Sequence, residues 1–221
     1  MNSGPVTVPT REGDYRSPRD EAPGCEFLPQ VVWNGNIHVS PDPKNDNLRI
    51  DFKSVVDEIT QEGIQFPVVI RFHDILRSQV VGINECFNAV IEQAKYKGRY
   101  NGVYPIKVNQ MREVVEEIVD AGAPYNYGLE AGSKSELLAV LALNTNLDSL
   151  TILNGYKDEE FIRLSLLGRK LGRKVVVVIE KYSELLMLVK VSKELNIEPI
   201  IGLRSKMTAL GRGKWQGSSG D

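Results

Sequence analysis

The sequence is poor in residues that several classes of enzyme and scaffold require. It contains only two cysteines and two histidines in 221 residues. Cys25 and Cys86 form no CxxC or CxxH pattern, so neither a structural zinc site nor a disulfide-rich scaffold is indicated. No HExxH motif surrounds His38 or His73, and no GxSxG motif occurs. The usual signatures of zinc peptidases and of serine hydrolases are therefore missing.

The chain also lacks an excess of charge of either sign. Its formal net charge is −2, which gives no electrostatic basis for binding nucleic acid or an anionic membrane surface. No apolar run approaches the roughly 20 residues of a membrane span. The first residues, MNSGPVTVPTREGDY, have no apolar core of a signal peptide. We therefore expect a cytoplasmic protein that contacts neither nucleic acid nor membrane.

The first third of the sequence predicts a disordered segment followed by a few short elements. Residues 1–30 contain five prolines and few aliphatic side chains, which predicts disorder. The sequence QVVWNGNIHVS predicts a β-hairpin, because Asn-Gly favours the positive φ angles of a type I′ turn. Residues 52–62 are predicted to be helical, 67–72 (PVVIRF) to form a strand, and 74–98 to form a long helix that ends at Gly98.

From residue 103 onward a strand and a helix alternate. The strands are predicted to start near residues 103, 126, 150, 175 and 199, at intervals of 23 to 25 residues. Alternating strands and helices with short loops predict a parallel sheet with right-handed crossovers. A doubly wound open sheet and a (β/α)8 barrel both satisfy this pattern. The even spacing fits the barrel better, and neither GxGxxG nor a P-loop marks a nucleotide-binding fold.

Polar side chains stand at the predicted carboxyl ends of these strands, where barrel enzymes place their reactive groups. They are Lys107, Asn109, Glu130, Asn154, Glu180 and Arg204. A simpler interpretation is that strand ends are polar because loops begin there, and Asn154 and Glu180 also suit helix caps.

Lys107 is the most informative of these residues, because it lies in the apolar strand VYPIKV. Alternation places Val103, Pro105 and Lys107 on one face, and if that face lines a barrel interior, Lys107 points into it near the mouth. A desolvated lysine is a nucleophilic amine suited to a carbonyl compound or to pyridoxal phosphate (PLP). The alternative is an edge lysine whose ammonium extends to water. On the fifth strand, Gly202 leaves space at the mouth and Arg204 supplies a fixed positive charge.

Several segments together resemble one family. They are GVYPIKVNQ, GLEAGSKSEL, NGYKDEEFIRLSLLGRKLG, VVVVIEKYSEL, PIIGLRSK and GKWQGSSGD. In this order and spacing they resemble the biosynthetic arginine decarboxylases, which are fold-type III PLP enzymes of the alanine racemase and ornithine decarboxylase superfamily. The resemblance covers about residues 27–221.

The resemblance implies an α/β fold, a partial PLP-binding (β/α)8 barrel of the alanine racemase type with N-terminal strands that belong to a β-domain. Residues 1–30 would then be a disordered segment. Residues 31–73 would form a hairpin, helix and strand associated with the β-domain, and 74–221 the first five barrel strands. We expect a fragment of a longer protein, inactive by itself, because only five strands are present and the chain stops at SSGD.

The resemblance also implies the chemistry. Lys107 is expected to bind PLP covalently, with Arg204 at the cofactor ring oxygen and Glu130 near the cofactor. The implied reaction is decarboxylation of L-arginine to agmatine and CO2 in polyamine (putrescine and spermidine) biosynthesis. Mg2+ and a homo-oligomer are expected from the family only. Two alternatives remain open, namely a decarboxylase of ornithine, lysine or diaminopimelate, and a non-catalytic PLP-binding or regulatory homologue.

Overall fold

The computed structural model describes residues 31–33, 37–40 and 47–205. The strands are β1 Val31–Trp33, β2 Ile37–Val39, β3 Ile50–Asp51, β4 Val103–Pro105, β5 Gly128–Ala131, β6 Leu150–Leu153, β7 Lys174–Ile179 and β8 Ile200–Leu203. The α-helices are α1 Phe52–Gln61, α2 His73–Gln93, α3 Arg112–Gly122, α4 Lys134–Leu143, α5 Glu159–Lys170 and α6 Tyr182–Leu195. The expected disordered segment 1–30 and the tail GKWQGSSGD lie outside the described residues.

The short N-terminal strands form an antiparallel sheet in the order β1-β2-β3. Trp33 pairs with Ile37, which confirms the predicted hairpin pairing, while the Asn-Gly turn itself lies outside the described residues. Helix α1 begins where β3 ends, because the Asp51 side chain caps it by accepting the Lys53 amide at 2.8 Å. It ends before Gly63, which has a φ of 76°.

The prediction of a strand over residues 67–72 is wrong. These residues are extended in part but have no strand partner among the residues that the structure describes. Their β-branched side chains favour an extended backbone, but only hydrogen bonds to a neighbouring strand make a β-strand. Val68 and Ile70 instead line an apolar groove together with Phe52 and Val56 of α1.

Helix α2 is shorter than predicted, because it ends at Gln93 rather than at Gly98. Lys95 adopts the left-handed conformation that was expected of a glycine, with a φ of 50°. The Lys95 amide donates to the Glu92 carbonyl at 3.1 Å, and the Tyr96 amide donates to the Ile91 carbonyl at 3.0 Å. These two bonds form a Schellman motif, which satisfies the last carbonyls of the helix without glycine.

The repeating half of the chain forms a five-stranded parallel sheet in the order β4-β5-β6-β7-β8. Consecutive strands are therefore neighbours throughout the sheet. A doubly wound sheet would reverse its strand order at an internal point, whereas a (β/α)8 barrel keeps strands in sequence. The observed order supports the barrel interpretation of the 23-to-25-residue repeat.

The helices that follow these strands cover one face of the sheet. Helix α3 packs beside α4, α4 beside α5 and α5 beside α6. Their apolar side chains meet the strands in one buried core, which includes Leu129, Leu137, Leu153, Phe161, Leu166, Val177 and Leu188. Each of these side chains is at most 2% exposed. One covered face and one open face are what a section of a barrel has, since the helices form the outer ring.

Candidate functional site

A cleft of about 800 Å³ lies at the carboxyl ends of the five parallel strands. Its lining residues are Lys107, Glu130, Gly132, Glu136, Asn154, Gly155, Val178, Glu180, Leu203, Arg204 and Ser205. Five of the six polar residues predicted from strand ends are therefore brought together. The exception is Asn109, whose side chain accepts the Met111 amide at 3.0 Å and so shapes the turn after β4.

The strand register explains why these side chains meet on the face that the helices leave open. Pro105, Glu130, Ile152, Val176 and Ile200 form one continuous row of paired residues across the sheet. Because side chains alternate along a strand, the residues two positions later share that face. The polar residues at the ends of the five strands, which are far apart in the sequence, therefore form one surface.

Lys107 lies in a turn rather than in a strand, because β4 ends at Pro105. The Val108 amide donates to the Pro105 carbonyl at 3.1 Å, which turns the chain immediately after β4. The expectation of a desolvated lysine is wrong for the described structure, since Lys107 is exposed along the cleft. Its ammonium has no hydrogen-bond or ion-pair partner among the described residues, so it is available to a ligand.

Glu130 lies on β5 in the row of paired residues next to Pro105 and Ile152. It is partly buried, and its carboxylate makes no hydrogen bond or ion pair with any residue that the structure describes. Partly buried carboxylates usually have a partner. The lysine and this glutamate are thus two uncommitted groups of opposite charge in one cleft.

Arg204 follows β8, and its Nη1 lies 3.4 Å from Oε1 of Glu180, which follows β7. The same Glu180 oxygen accepts the backbone amide of Gly155 at 2.6 Å. Glu180 is therefore not a helix cap, although its position allowed that reading, because its carboxylate joins the loops after β6 and β7 to the end of β8. The guanidinium keeps further donors for a ligand, since its side chain is 55% exposed.

Gly202 does not open space in the cleft mouth, contrary to the sequence-based expectation. A Cβ at this position would lie 3.0 Å from Cγ2 of Val178 and 3.3 Å from Cγ1 of Val176. Both valines belong to the neighbouring strand β7, so the missing side chain lets β8 pack closely against their side chains. The glycine therefore serves the packing of two strands rather than the volume of the cleft.

A buried polar cluster behind the cleft was not predicted from the sequence. Lys157 is 6% exposed, and its Nζ donates to the Gly155 and Val178 carbonyls, each at 2.6 Å. Glu184 is 2% exposed and accepts backbone amides from Lys157 at 3.0 Å and Glu180 at 2.9 Å. Burial lowers the pKa of Lys157, while the nearby Glu184 and Glu180 carboxylates oppose that shift. The only sequence signals were one lysine before α5 and one glutamate in the first turn of α6, and charges at such positions are common on protein surfaces.

The loop after β5 is held by the first turn of α4. The Ser133 side chain caps this helix, and Glu136 accepts the backbone amide of Gly132 at 2.6 Å. The sequence Ser133-Lys134-Ser135-Glu136 has the pattern of a capping box and forms a cap, but its glutamate binds the amide of the residue before the N-cap. This bond fixes Gly132 at the cleft wall, where its carbonyl faces Gly155.

The described part of the chain contains neither a candidate metal cluster nor a candidate membrane-spanning helix. Within residues 31–33, 37–40 and 47–205, no three His, Cys, Asp or Glu side chains cluster in a way that could hold a metal ion. No helix in the same part of the chain is both long enough and apolar enough to cross a bilayer.

Curated relatives match most of this chain. The biosynthetic arginine decarboxylase of Phocaeicola vulgatus is 47% identical to this chain over 188 residues, and that of Gloeobacter violaceus is 47% identical over 194 residues. These alignments cover 85% and 87% of this chain and 30% of each relative. The chain thus spans less than a third of the length of the curated relatives it matches.

Solved structures agree with the barrel assignment. The biosynthetic arginine decarboxylase from Campylobacter jejuni superposes with a TM-score of 0.69 at 32% identity, over 79% of this chain and 28% of that one. The diaminopimelate decarboxylase from M. jannaschi superposes with a TM-score of 0.54 at 16% identity, over 81% and 36% of the two chains. The second similarity supports the fold alone.

A family match covers the parallel sheet, its helices and the cleft. Residues 82–220 match the family described as pyridoxal-dependent decarboxylase, pyridoxal binding domain. This range is more than half of the 221 residues and includes Lys107, Glu130 and Arg204. With its sequential parallel strands and a lysine-bearing cleft at their carboxyl ends, the chain belongs to the pyridoxal-dependent decarboxylases, through their pyridoxal-binding domain.

Proposed function

We propose that the protein decarboxylates L-arginine to agmatine and CO2, a step of polyamine (putrescine and spermidine) biosynthesis, and that this chain supplies its PLP-binding surface. The observation that carries the proposal is the meeting of Lys107, Glu130 and Arg204 at one cleft. The substrate is taken from the relatives at 44% to 47% identity, which are named biosynthetic arginine decarboxylases.

The side chains of the cleft fit PLP. An aldehyde requires an amine, and the Lys107 amine is exposed along the cleft without a partner among the described residues. An aromatic ring with an anionic oxygen requires a cationic donor, and Arg204 retains donors beyond its contact with Glu180. Neither group has to break a buried interaction before it binds a ligand.

We assign each residue one role. When bound, PLP supplies an electron sink for the electrons left behind as CO2 departs. Lys107 supplies the amine that binds the cofactor aldehyde and that exchanges with the substrate amine. Arg204 orients the cofactor through its ring oxygen, and Glu180 holds the Arg204 guanidinium in place. Glu130 provides a negative charge beside the cofactor, on the strand next to Lys107.

The domain organisation, oligomeric state, location and metal requirement of the protein are proposed from its family. Residues 31–73 would associate with a β-domain, and 74–221 would form the first five strands of the barrel. A homo-oligomer, a cytoplasmic location and a Mg2+ requirement belong to the same proposal. Sedimentation of the purified protein, fractionation of cells and assays with and without a chelator would test these three features separately.

Product analysis tests the reaction. The complete gene product, incubated with PLP, is supplied separately with L-arginine, L-ornithine, L-lysine and diaminopimelate. We expect CO2 and agmatine from arginine and much less CO2 from the other three. Faster decarboxylation of ornithine, lysine or diaminopimelate would contradict the substrate assignment. The absence of CO2 with all four, despite bound PLP, would favour a non-catalytic homologue.

Reductive trapping tests the cofactor-binding residue. Borohydride treatment of the PLP-loaded protein, followed by peptide mapping, should label the peptide that contains Lys107. Lys157 is a suitable internal comparison, because its ammonium donates to the carbonyls of two residues that line the cleft, Gly155 and Val178. A label on Lys157, or on any lysine other than Lys107, would contradict the assignment.

A further inference from the structure

Behind the cleft, four residues form one connected set of hydrogen bonds, which we call the loop brace: Gly155, Lys157, Glu180 and Glu184. Gly155 and Lys157 belong to the loop between β6 and α5, and Glu180 lies in the loop between β7 and α6. Glu184 lies in the first turn of α6. The proposed function assigns no role to Lys157 or Glu184.

The Lys157 ammonium replaces a missing strand partner. The register between β6 and β7 ends at the pair Leu153–Val177, one residue before Val178. The Val178 carbonyl therefore has no further residue of β6 opposite it, and Nζ of Lys157 donates to it at 2.6 Å. The same ammonium donates to the Gly155 carbonyl at 2.6 Å. One side chain thus ties the end of β7 to the loop that leaves β6.

Glu184 fastens the same two loops from the other side. Its Oε1 accepts the Lys157 amide at 3.0 Å, and its Oε2 accepts the Glu180 amide at 2.9 Å. A carboxylate that accepts backbone amides from two loops fixes their separation, because both bonds have narrow ranges of length. A second link lies nearby, where Nζ of Lys181 is 3.6 Å from the centre of the Tyr156 ring.

The brace ends at the cleft. With both loops fixed, the Gly155 amide donates to Oε1 of Glu180 at 2.6 Å, and that oxygen faces Nη1 of Arg204 at 3.4 Å. Gly155 and Val178, whose carbonyls Lys157 binds, both line the cleft. Arg204 is itself more than half exposed, so the carboxylate of Glu180 is what restrains its position.

A role in packing alone does not account for these groups. Burial of an ammonium and a carboxylate carries a desolvation cost that an apolar pair of similar volume avoids. The pKa of Lys157 is lowered by this burial, which is consistent with such a cost. The charged groups do provide fixed donors and acceptors for backbone atoms at the cleft wall, which apolar side chains cannot.

We propose that Lys157 and Glu184 are positioning residues that fix Glu180, and through it Arg204, for the cofactor. The cofactor part of this inference rests on the proposed function. The geometric part, that the brace immobilises the Gly155–Glu180 contact, does not depend on PLP.

The first experiment tests the geometry without PLP. In the complete gene product, Lys157→Met removes the ammonium and keeps the length of the side chain. Lys174→Met is the matched control, because Lys174 lies at the opposite end of β7 and pairs with the exposed Asp148 at 2.7 Å. Hydrogen exchange followed by mass spectrometry should show faster exchange in the peptide containing Gly155 for Lys157→Met, at an unchanged circular dichroism spectrum, and no change for Lys174→Met. Equal exchange in all three proteins would overturn the brace.

The second experiment tests whether Lys157 affects PLP affinity through the position of Arg204. PLP affinity, measured from the absorbance of the bound cofactor, should fall about tenfold for Lys157→Met, the loss expected when a charged hydrogen bond is weakened. In an Arg204→Gln background the same substitution should change the affinity less than twofold, because the residue that it positions is gone. If Lys157→Met lowered PLP affinity by the same factor with and without Arg204→Gln, the positioning role would be overturned.

A second variant keeps the proposal testable if Lys157→Met does not fold. The two experiments also distinguish failure of the brace from failure of the proposed function. Glu184→Gln keeps the volume and one acceptor oxygen, so it should give the same two changes to a smaller extent. If Lys157→Met fails to fold, Glu184→Gln decides the outcome. If the unaltered protein binds no PLP, the proposed function fails, whereas the exchange of the Gly155 peptide still supports or overturns the brace.

Discussion

Arg204 and Glu180 form an ion pair at 3.4 Å that joins the carboxyl ends of the neighbouring strands β8 and β7. The two partners differ in environment, because the arginine side chain is 55% exposed and the glutamate side chain 13%. The partly buried Glu180 is held by the Gly155 amide, and the more exposed Arg204 lines the cleft beside it. The Glu180 carboxylate is thus held in place and restrains Arg204, while the Arg204 guanidinium remains accessible to a ligand.

Replacement of Arg204 should separate ligand binding from stability. We expect Arg204→Gln to weaken PLP binding about tenfold or more, because a charge-assisted hydrogen bond to the cofactor is lost. The melting temperature should change little, because the guanidinium is 55% exposed and Glu180 keeps its bond to the Gly155 amide. Ion pairs open to solvent contribute only about 0 to 1 kcal/mol. A cofactor titration and a thermal melt measure the two effects.

Arg112→Gln is the control for this substitution. Arg112 forms an exposed ion pair with Glu116 within α3 at 2.7 Å and does not line the cleft. It should leave PLP affinity unchanged. The assignment of Arg204 fails if its replacement alters affinity no more than the replacement of Arg112.

Replacement of Lys107 should abolish the reaction while the fold persists. Lys107 is exposed and has no partner among the described residues, so Lys107→Ala removes no contact on which folding depends. Loss of the nucleophilic amine should reduce kcat/KM for arginine by roughly a thousandfold or more. Kinetics of CO2 release, together with circular dichroism, would measure both effects.

Lys97→Ala provides the comparison for Lys107, since Lys97 is also exposed but lies after α2, away from the cleft. Its activity should match that of the unaltered protein. Retention of more than a tenth of the activity by Lys107→Ala would be incompatible with the proposed role.

Two glycines with similar backbone angles should respond differently to alanine. Gly155 and Gly172 have φ values of 75° and 87°, so alanine is strained by about 1 kcal/mol or more at either position. At Gly155 a Cβ would also lie 2.7 Å from the Gly132 carbonyl oxygen, whereas at Gly172 the nearest atom is 4.0 Å away. Urea unfolding should therefore show a larger loss of stability for Gly155→Ala than for Gly172→Ala.

The same pair of variants should also differ in PLP affinity. Gly155 donates its amide to Glu180, so a displaced Gly155 disturbs the support of Arg204. Gly172 follows α5 at the other end of the sheet and should have no such effect. Equal losses of stability and affinity in the two variants would show that close contact between the Gly132 and Gly155 loops is unimportant.

The cap of α5 should make stability depend on pH in acid. The Phe161 amide donates to Asp158 at 2.8 Å, and Lys134 lies 2.9 Å from the same carboxylate, so the pKa of Asp158 is lowered. A carboxylate with a lowered pKa in the folded state stabilises the protein at pH values above its ordinary pKa of 3.8, and this stabilisation is lost as the pH falls through the folded pKa.

Asp158→Asn tests this dependence, because asparagine still caps a helix but carries no charge. The unaltered protein should have the higher melting temperature near neutral pH, and the difference should narrow as the pH falls below about 5. A difference that stays constant down to pH of about 3 would show that the charge of Asp158 does not contribute.

Sequence pattern was sufficient for the parts of this protein that depend on local periodicity. The repeat of strands and helices predicted five parallel strands, and their polar ends predicted a group of six residues. Of these, Lys107, Glu130, Asn154, Glu180 and Arg204 line the cleft, and Asn109 does not. This succeeds because side-chain alternation and the common direction of parallel strands are set by short-range geometry. The helix stop at Lys95 was missed, since its left-handed conformation has no glycine to signal it.

Partners distant in the sequence were decided only by tertiary structure. PVVIRF has the composition of a strand, but no strand pairs with it in the described part of the chain. In the sequence, Lys157 and Glu184 resemble ordinary charges at the start of a helix. Only the approach of the ends of β6 and β7 leaves backbone groups that their side chains bind. The sequence by itself determined the repeat and the lysine at its first strand. The pairing of Arg204 with Glu180 and the bonds of the brace between the two loops join residues 21 to 27 positions apart, which no local pattern specifies. The exposure of that lysine was likewise visible only in the tertiary structure, where β4 ends before it.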